Sequence, residues 1–195
     1  FMALFQSNAK RILAYSSVSQ MGYILMGVGV CAYLGLEGPM AMGGFSLHVV
    51  NHAFFKAGMF MMVGAVYFRT GEIDIKKLGG LWREFPVTTV VFLLAAMGIA
   101  GIPGLNGYTS KVLLHHAIVE AFEHHHDYSL YIAERIFMLT GAITTCYIAR
   151  LFSSIFLGKK PEGLIAKGKE PWYERVVFIT IGAVLLFIGT SPFLV

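Results

Sequence analysis

The sequence predicts an all-α protein, a polytopic transmembrane helix bundle with one broken helix. Of its 195 residues, 56% are hydrophobic and only 13% are charged, whereas about a quarter of an average soluble domain is charged. The charged residues fall in clusters that separate long uncharged runs, which is the pattern of membrane-spanning helices. One of these runs is interrupted near its middle by glycines and a proline.

Five apolar segments are long enough to cross a bilayer. A crossing needs about 20 residues, because a helix rises about 1.5 Å per residue and the hydrocarbon core is about 30 Å thick. We expect the chain to be a fragment forming a single membrane domain, which begins with the end of a helix at Phe1–Gln6. The predicted spans cover residues 12–33, 43–68, 87–122, 131–157 and 176–195.

The third segment is too long for one regular crossing, since its 36 residues would form a helix of about 54 Å. Its middle, Gly98–Gly107, contains four glycines and Pro103. Proline lacks an N–H group and glycine favours bends, so we expect the helix to break there. The segment is therefore either one broken crossing or a helical hairpin.

The positions of the basic residues distinguish these two arrangements. The predicted loops at residues 34–42 and 123–130 contain no lysine or arginine. If every segment crosses once, 12 of the 15 basic residues lie on one side, as the positive-inside rule requires. Trp82 and Trp172 then lie at that same boundary, where indole rings are favoured. We therefore predict one broken crossing, in a prokaryotic cytoplasmic membrane, with the basic loops in the cytoplasm.

Composition and motifs argue against several other classes of function. The pI of about 9.1 does not indicate a nucleic-acid partner, because the basic residues lie between apolar runs and form no single face. Cys31 and Cys146 lie in apolar stretches without a CxxC spacing, so we expect buried core residues and no metal or haem site. No phosphate loop, nucleophile elbow or dinucleotide fingerprint is present, and we expect no cofactor.

The second predicted span contains His48, His52 and Lys56. Residues four apart advance by only about 40° around a helix and rise about 6 Å, so these three form one stripe about 12 Å long. Ionisable groups on a membrane helix are costly unless they face water or partners. The stripe predicts a water-bridged proton relay in which His48, nearest the outer end, matters least. Alternatively, the histidines bond neighbouring helices and Lys56 pairs with a carboxylate.

Lys111 follows the predicted break. Backbone groups freed by a break are tolerated only inside protein or beside a watery cavity, and ion sites of transporters are commonly built there. Because burial disfavours the charged ammonium form, a lysine in this position can exchange a proton. We therefore expect Lys111 to transfer protons, the alternative being that it only donates hydrogen bonds to the freed carbonyl groups.

Two further polar clusters are less specific. The polar residues within Ser16–Tyr23 would either hydrate an entry path or bridge helices. A second cluster, toward the outer end, consists mainly of histidines and carboxylates. For this cluster we expect a hydrated, proton-accepting rim, with a zinc site as the alternative. Its members are His115, His116, Glu120, Glu123, His124, His125, His126 and Asp127.

Three stretches resemble the signatures of one protein family, in the same order. Lys10–Tyr23 reads KRILAYSSVSQMGY, His48–Ala57 reads HVVNHAFFKA and Gly101–Lys111 reads GIPGLNGYTSK. They resemble the antiporter-like subunits of respiratory complex I, which are shared with Mrp-type cation/proton antiporters and membrane-bound energy-converting hydrogenases. The resemblance covers about Gln6 to Glu120, and the last two spans match mainly by hydropathy.

The resemblance implies a fold of about fourteen helices with two inverted five-helix repeats, each containing one broken helix. This chain would contain the broken helix of the second repeat. Lys56 would correspond to the central relay lysine and Lys111 to the lysine linked to the outer exit. His48 and His52 would correspond to histidines that bridge to neighbouring water chains. The first-repeat lysine and its glutamate partner are not in this sequence.

The expected function is ion translocation, with the proton as the expected ion, by a subunit without a redox centre of its own. Its expected partners are the lipid bilayer and other membrane subunits of a multi-subunit respiratory or antiporter complex. Two other functions stay open at this point, an inert membrane scaffold and a quinone-binding redox subunit.

Overall fold

The computed structural model describes residues 1–35 and 38–190, and within these ranges the chain forms helices joined by loops. A 3-10 turn at Leu81–Arg83 precedes the fourth α-helix. The prediction of an all-α fold is confirmed. The α-helices are α1 (Met2–Phe5), α2 (Ala9–Leu34), α3 (Pro39–Thr70), α4 (Pro86–Ala100), α5 (Asn106–His125), α6 (Tyr128–Phe156) and α7 (Trp172–Thr190).

Four helices, α2, α3, α6 and α7, are long and apolar enough to cross a membrane. They coincide with four of the predicted segments, although α3 is longer than expected, with 32 residues. The last predicted span extended to Val195, and residues 191–195 lie outside the described part of the chain. That the whole chain is a single membrane domain stays a prediction.

The predicted break lies between α4 and α5, at residues 101–105. Gly101 and Gly104 have φ angles of 86° and 85°, a left-handed conformation that glycine adopts without steric cost. Pro103 lies between them and has no N–H group to continue a helix. The local sequence therefore determines where the helix breaks.

The two half-helices lie end to end along α3. The first half of α3 contacts α5, and the last turn of α3 contacts the segment just before α4. This is the order expected for one broken crossing, since a hairpin would fold α4 back beside α5. The contacts are His48 with Ser110, Asn51 with Asn106, and Arg69 with the Phe85 ring.

Two separate apolar clusters form the core. The first contains Ile12, Phe55 and Phe92 and packs α2, α3, α4, α6 and α7 together. The second contains Val30, Leu114 and Phe137 and packs the other halves of α2, α3 and α6 against α5. Buried polar side chains lie between the clusters, and we call them the polar layer. Its members are Ser16, Gln20, His48, Asn51, Lys56, Asn106, Ser110 and Lys111.

Carboxylate side chains cap helices at both ends of the bundle. At the end that carries the basic loops, Glu170 accepts hydrogen bonds from the first N–H groups of α4, at 3.2 Å from Val87 and 2.8 Å from Thr88. At the histidine-rich end, Asp127 caps α6 by accepting from the Ser129 N–H at 2.9 Å. This bond holds the pKa of Asp127 below its usual range. The end of α4 opposite the break is therefore held in place from outside the helix.

Gly107 is the position at which the break tolerates least added volume. A β-carbon there would overlap the Gly98 carbonyl group, whereas a β-carbon at Gly64 would have no neighbour within 4 Å. Overpacking costs about 1–3 kcal/mol, so Gly107→Ala should lower the thermal unfolding temperature of the detergent-solubilised full-length protein, measured by intrinsic fluorescence. Gly64→Ala is the control. Equal unfolding temperatures for the two variants would contradict close packing at the break.

Candidate functional site

His48 lies at the centre of the polar layer and links three helices. It is completely buried. Its Nδ1 atom lies 2.9 Å from Ser110 Oγ on α5, and its Nε2 atom lies 3.0 Å from Gln20 Oε1 on α2. Both ring nitrogens therefore have a partner, and the ring links α3 to the two neighbouring helices.

Asn51, one turn further along α3, connects this bonding to the broken helix. Its Nδ2 atom donates to the Asn106 carbonyl oxygen at 2.5 Å and to Ser110 Oγ at 3.3 Å. Asn106 returns a hydrogen bond from its own Nδ2 to Asn51 Oδ1, at 3.2 Å. The result is a continuous hydrogen-bonded network from Gln20 through His48, Ser110 and Asn51 to the first residue of α5.

Lys56 is buried on α3, with 5% of its surface exposed. Its Nζ atom donates to the Leu13 carbonyl oxygen at 2.9 Å and also contacts Ser16 Oγ, both on α2. Among the described residues its partners are these two oxygens and no carboxylate. The described residues therefore do not form the buried Lys56–carboxylate pair that was the alternative.

Lys111 lies on α5 and reaches back across the break. Its Nζ atom donates to the carbonyl oxygens of Ile99 at 2.7 Å and Ala100 at 3.3 Å, the last residues of α4. The last four carbonyl groups of a helix have no partner within that helix, so Lys111 supplies donors to two of them. The Nζ atom also lies 5.2 Å from the centre of the Tyr23 ring, within the range of a cation–π contact.

Tyr23 places Lys111 next to the network around His48. The Tyr23 and His48 rings contact edge to face, with centroids 5.8 Å apart, and the Tyr23 hydroxyl donates to the Phe137 carbonyl oxygen at 3.2 Å. Tyr23 and Lys111 both line a cavity of about 480 Å³ between α5 and α6. Lys111 therefore belongs to the polar layer and also lines a space wide enough for water.

His52 lies apart from this network. It is only partly buried, and its Nε2 atom is a buried polar atom without a hydrogen-bond partner among the described residues. Gln20 Nε2 and Asn106 Oδ1 share this property. Because buried polar groups in proteins are nearly always hydrogen-bonded, to water where no protein group is available, these three atoms are where we expect bound water.

The structure brings together most of the residues predicted from the sequence. His48 and Lys111 meet around Ser110 and Tyr23, and Lys56 meets the start of α2. His48 is the better connected histidine and His52 the more peripheral one, while the ranking of their effects on translocation stays a prediction. The sequence reasoning gave no role to Asn51, Asn106 and Ser110. In the sequence they are polar residues within otherwise apolar helices, and they lie inside the stretches His48–Ala57 and Gly101–Lys111.

The histidine-rich cluster has one close pair near the cavity. His115 Nε2 lies 3.1 Å from Glu134 Oε1, and Arg135 Nε lies 3.2 Å from the other carboxylate oxygen. Glu134 was not part of the predicted cluster. Within residues 1–35 and 38–190, no three histidine, cysteine or carboxylate side chains are grouped closely enough to hold a metal ion.

Fold and site together define a polytopic membrane protein in which a buried lysine and a buried histidine lie at a broken helix, with a second buried lysine between α3 and α2. The chain belongs to the NADH:quinone oxidoreductase/Mrp antiporter transmembrane family, whose model matches residues 1–144. The family resemblance seen in the sequence is thereby confirmed.

Two curated relatives and one solved structure illustrate this similarity. The chain is 34% identical over 195 residues to one subunit of a probable K(+)/H(+) antiporter of Rhizobium meliloti, covering 98% of the chain and 18% of the relative. It is 36% identical over 164 residues to one subunit of the F(420)H(2) dehydrogenase of Methanosarcina mazei, covering 81% of the chain and 24% of the relative. It therefore spans about a fifth to a quarter of these relatives' length.

The solved structure is that of the membrane-bound sulfane sulfur reductase, an archaeal respiratory membrane complex. The match has a TM-score of 0.84 and 29% sequence identity, and it covers 98% of this chain and 30% of the matched chain. The helix arrangement is thus shared over almost the whole chain.

The two histidines should differ in their contribution to stability. His48→Ala leaves Gln20 and Ser110 without their buried partner, which costs about 1–3 kcal/mol, whereas His52→Ala breaks no hydrogen bond to a described residue. We expect a lower unfolding temperature for His48→Ala than for His52→Ala in the detergent-solubilised full-length protein. A larger loss in the His52 variant would contradict the network described here.

Proposed function

We propose that this chain carries part of a proton path through the membrane, as an ion-translocating subunit of a multi-subunit complex. Lys56 and Lys111 are the proton carriers. His48 connects the helices between them, and His52 lies at the side of the path, where water would reach it.

One observation carries this proposal, the polar layer that lies between the two apolar clusters. Its network runs from Gln20 through His48 and Ser110 to Asn106 without leaving the buried interior. Lys56 contacts Ser16, one turn before Gln20 on α2, and Lys111 lies one residue after Ser110. A buried row of proton-exchanging groups at mid-helix is costly in a membrane protein and is typically found on ion or proton pathways.

The chemistry of the polar layer favours the proton over a metal cation. Its ionisable members are two lysines and a histidine, which carry protons and, when charged, repel a second cation. Its other members are amides and hydroxyls, which form hydrogen bonds to water and to one another. A sodium ion would need a shell of oxygen ligands placed away from these positive charges.

The relatives support the membrane setting. Their names describe antiporter and dehydrogenase subunits, so we place this chain beside other membrane subunits, with its remaining helix surfaces facing lipid. The energy would come from electron transfer in those partners or from an opposing ion gradient. We assign the protein to a prokaryotic cytoplasmic membrane, with the basic loops in the cytoplasm.

A second candidate function is that of a membrane scaffold with inert lysines. The contact between Lys111 and the carbonyl groups of Ile99 and Ala100 favours it, because a lysine can hold a broken helix together without moving a proton. Lys56 likewise donates to the Leu13 carbonyl oxygen. The two functions differ in what they require of Lys111, a proton that can leave or only a hydrogen-bond donor.

Substitutions of Lys111 separate the two functions. Lys111→Arg keeps donors for both carbonyl groups but cannot release its proton at physiological pH, and Lys111→Met removes both capacities. We expect both variants, and Lys56→Met, to slow proton translocation at least tenfold, measured with a pH-sensitive dye in vesicles that contain the full-length subunit in its complex.

The control is Lys76→Met, which removes an exposed lysine from a loop at the basic end and should translocate protons at the wild-type rate. Unchanged translocation in Lys111→Arg, with a loss in Lys111→Met, would assign Lys111 to the scaffold. In that case the proposed proton path would not pass through it.

The orientation can be tested with single cysteines in a background in which Cys31 and Cys146 are serine. Lys76→Cys and His124→Cys place thiols at exposed positions at opposite ends of the bundle. A membrane-impermeant thiol reagent should label Lys76→Cys only in inverted vesicles and His124→Cys only in intact cells. Labelling of both from one side, or the reverse pattern, would contradict the proposed topology.

A further inference from the structure

Beyond Lys111, a route leads toward the histidine-rich end of the bundle. The cavity of about 480 Å³ that begins at Lys111 continues between α5 and α6, and we call it the inner cavity. It passes the side chains of His115 and His116 on one wall and those of α6 on the other. The α6 residues that line it are Phe137, Met138, Gly141, Ala142 and Thr145.

His115 is the next ionisable side chain along this cavity. It lies four residues after Lys111, so it shares the same face of α5 and is displaced by about 6 Å along the helix axis. Its Nε2 atom is 3.1 Å from Glu134 Oε1 on α6. Lys111 and His115 line the same cavity, so water in it would have to connect the ammonium to the ring, and the ring itself bridges the gap to α6.

His115 lines the inner cavity, and its partner Glu134 lines a second one. The second cavity, which we call the rim cavity, has a volume of about 310 Å³ and is lined by Glu134, Glu123 and Arg135. The Glu134 side chain is largely buried, whereas that of Arg135 is mostly exposed. One carboxylate oxygen therefore contacts His115 and the other contacts Arg135.

We propose that His115 and Glu134 carry the proton from Lys111 out to the histidine-rich end, an inference that rests on the proposed function. The Lys111 ammonium releases a proton through water to Nδ1 of His115, and Nε2 of the same ring releases its proton to the Glu134 carboxylate. Glu134 then releases that proton to water in the rim cavity. The ring returns to its first tautomer by moving its remaining proton from Nδ1 to Nε2. One proton enters and one leaves, and no electrons are transferred.

The charges around Glu134 suit a proton carrier that is a carboxylate anion between transfers. Arg135 stabilises the Glu134 carboxylate, while His115 holds one of its oxygens in line with the ring. A pair that served only to fasten α5 to α6 would need no cavity on either side. Here His115 lines the inner cavity and Glu134 lines the rim cavity, so the hydrogen-bonded pair connects the two.

The test uses glutamine, because it retains the hydrogen bond of this pair and cannot carry the proton. Glu134→Gln still accepts from His115, and His115→Gln still donates to Glu134. In vesicles that contain the complex with the full-length subunit, we expect each variant to slow proton translocation at least tenfold while assembly and unfolding temperature stay at wild-type values. Glu134→Asp should recover part of the rate, and the double glutamine variant should be no slower than the slower single variant.

Glu162→Gln, which removes an exposed carboxylate from the loop before α7, is the charge-matched control and should leave the rate unchanged. Wild-type rates in both glutamine variants, with translocation lost in Lys111→Met, would overturn this exit route and leave the proposed function intact. If the glutamine variants lose translocation together with assembly or thermal stability, the pair is only a structural contact, and the route is overturned as well. Wild-type translocation in Lys111→Met would instead overturn the proposed function itself.

Discussion

A helix that breaks inside an apolar bundle must find partners for the backbone groups it frees, and this constraint shapes the rest of the structure. The carbonyl groups at the end of α4, which have no partner within that helix, accept from Lys111 on α5. With no water in the hydrocarbon, each unpaired group would cost several kcal/mol. Lys111 is therefore the member of the polar layer that the break itself requires.

The same constraint connects structure and proposed function. Side chains that satisfy a broken backbone must be strong donors, and a lysine is the strongest that can also release a proton. Lys56 and Lys111 both donate to backbone carbonyl oxygens, so each has a position in which its charged form is stabilised. When a proton leaves Lys111, its hydrogen bonds to the carbonyl groups weaken, which couples the state of this lysine to the geometry of the break.

The fold was largely predictable from the sequence, and the bonding within the site was not. Hydropathy located the crossings, and Pro103 with its neighbouring glycines located the break, because both signals are local. The pairing of Lys56 with the Leu13 carbonyl depends on how far α2 is shifted along α3, which no local pattern encodes. Likewise, His48 is completely buried and His52 is partly exposed, although they differ by only about 40° around the same helix. The packing of the neighbouring helices determines which of the two is buried.

The central claim is that the polar layer is a hydrated proton path, and a map of the full complex at a resolution that shows water tests it most directly. We expect ordered water at His52 Nε2, Gln20 Nε2 and Asn106 Oδ1, the buried atoms that have no described protein partner. We also expect a water chain from Lys56 to Lys111 and on into the cavity beside His115. A dry layer, with aliphatic side chains filling the space between the two lysines, would contradict the proposed path.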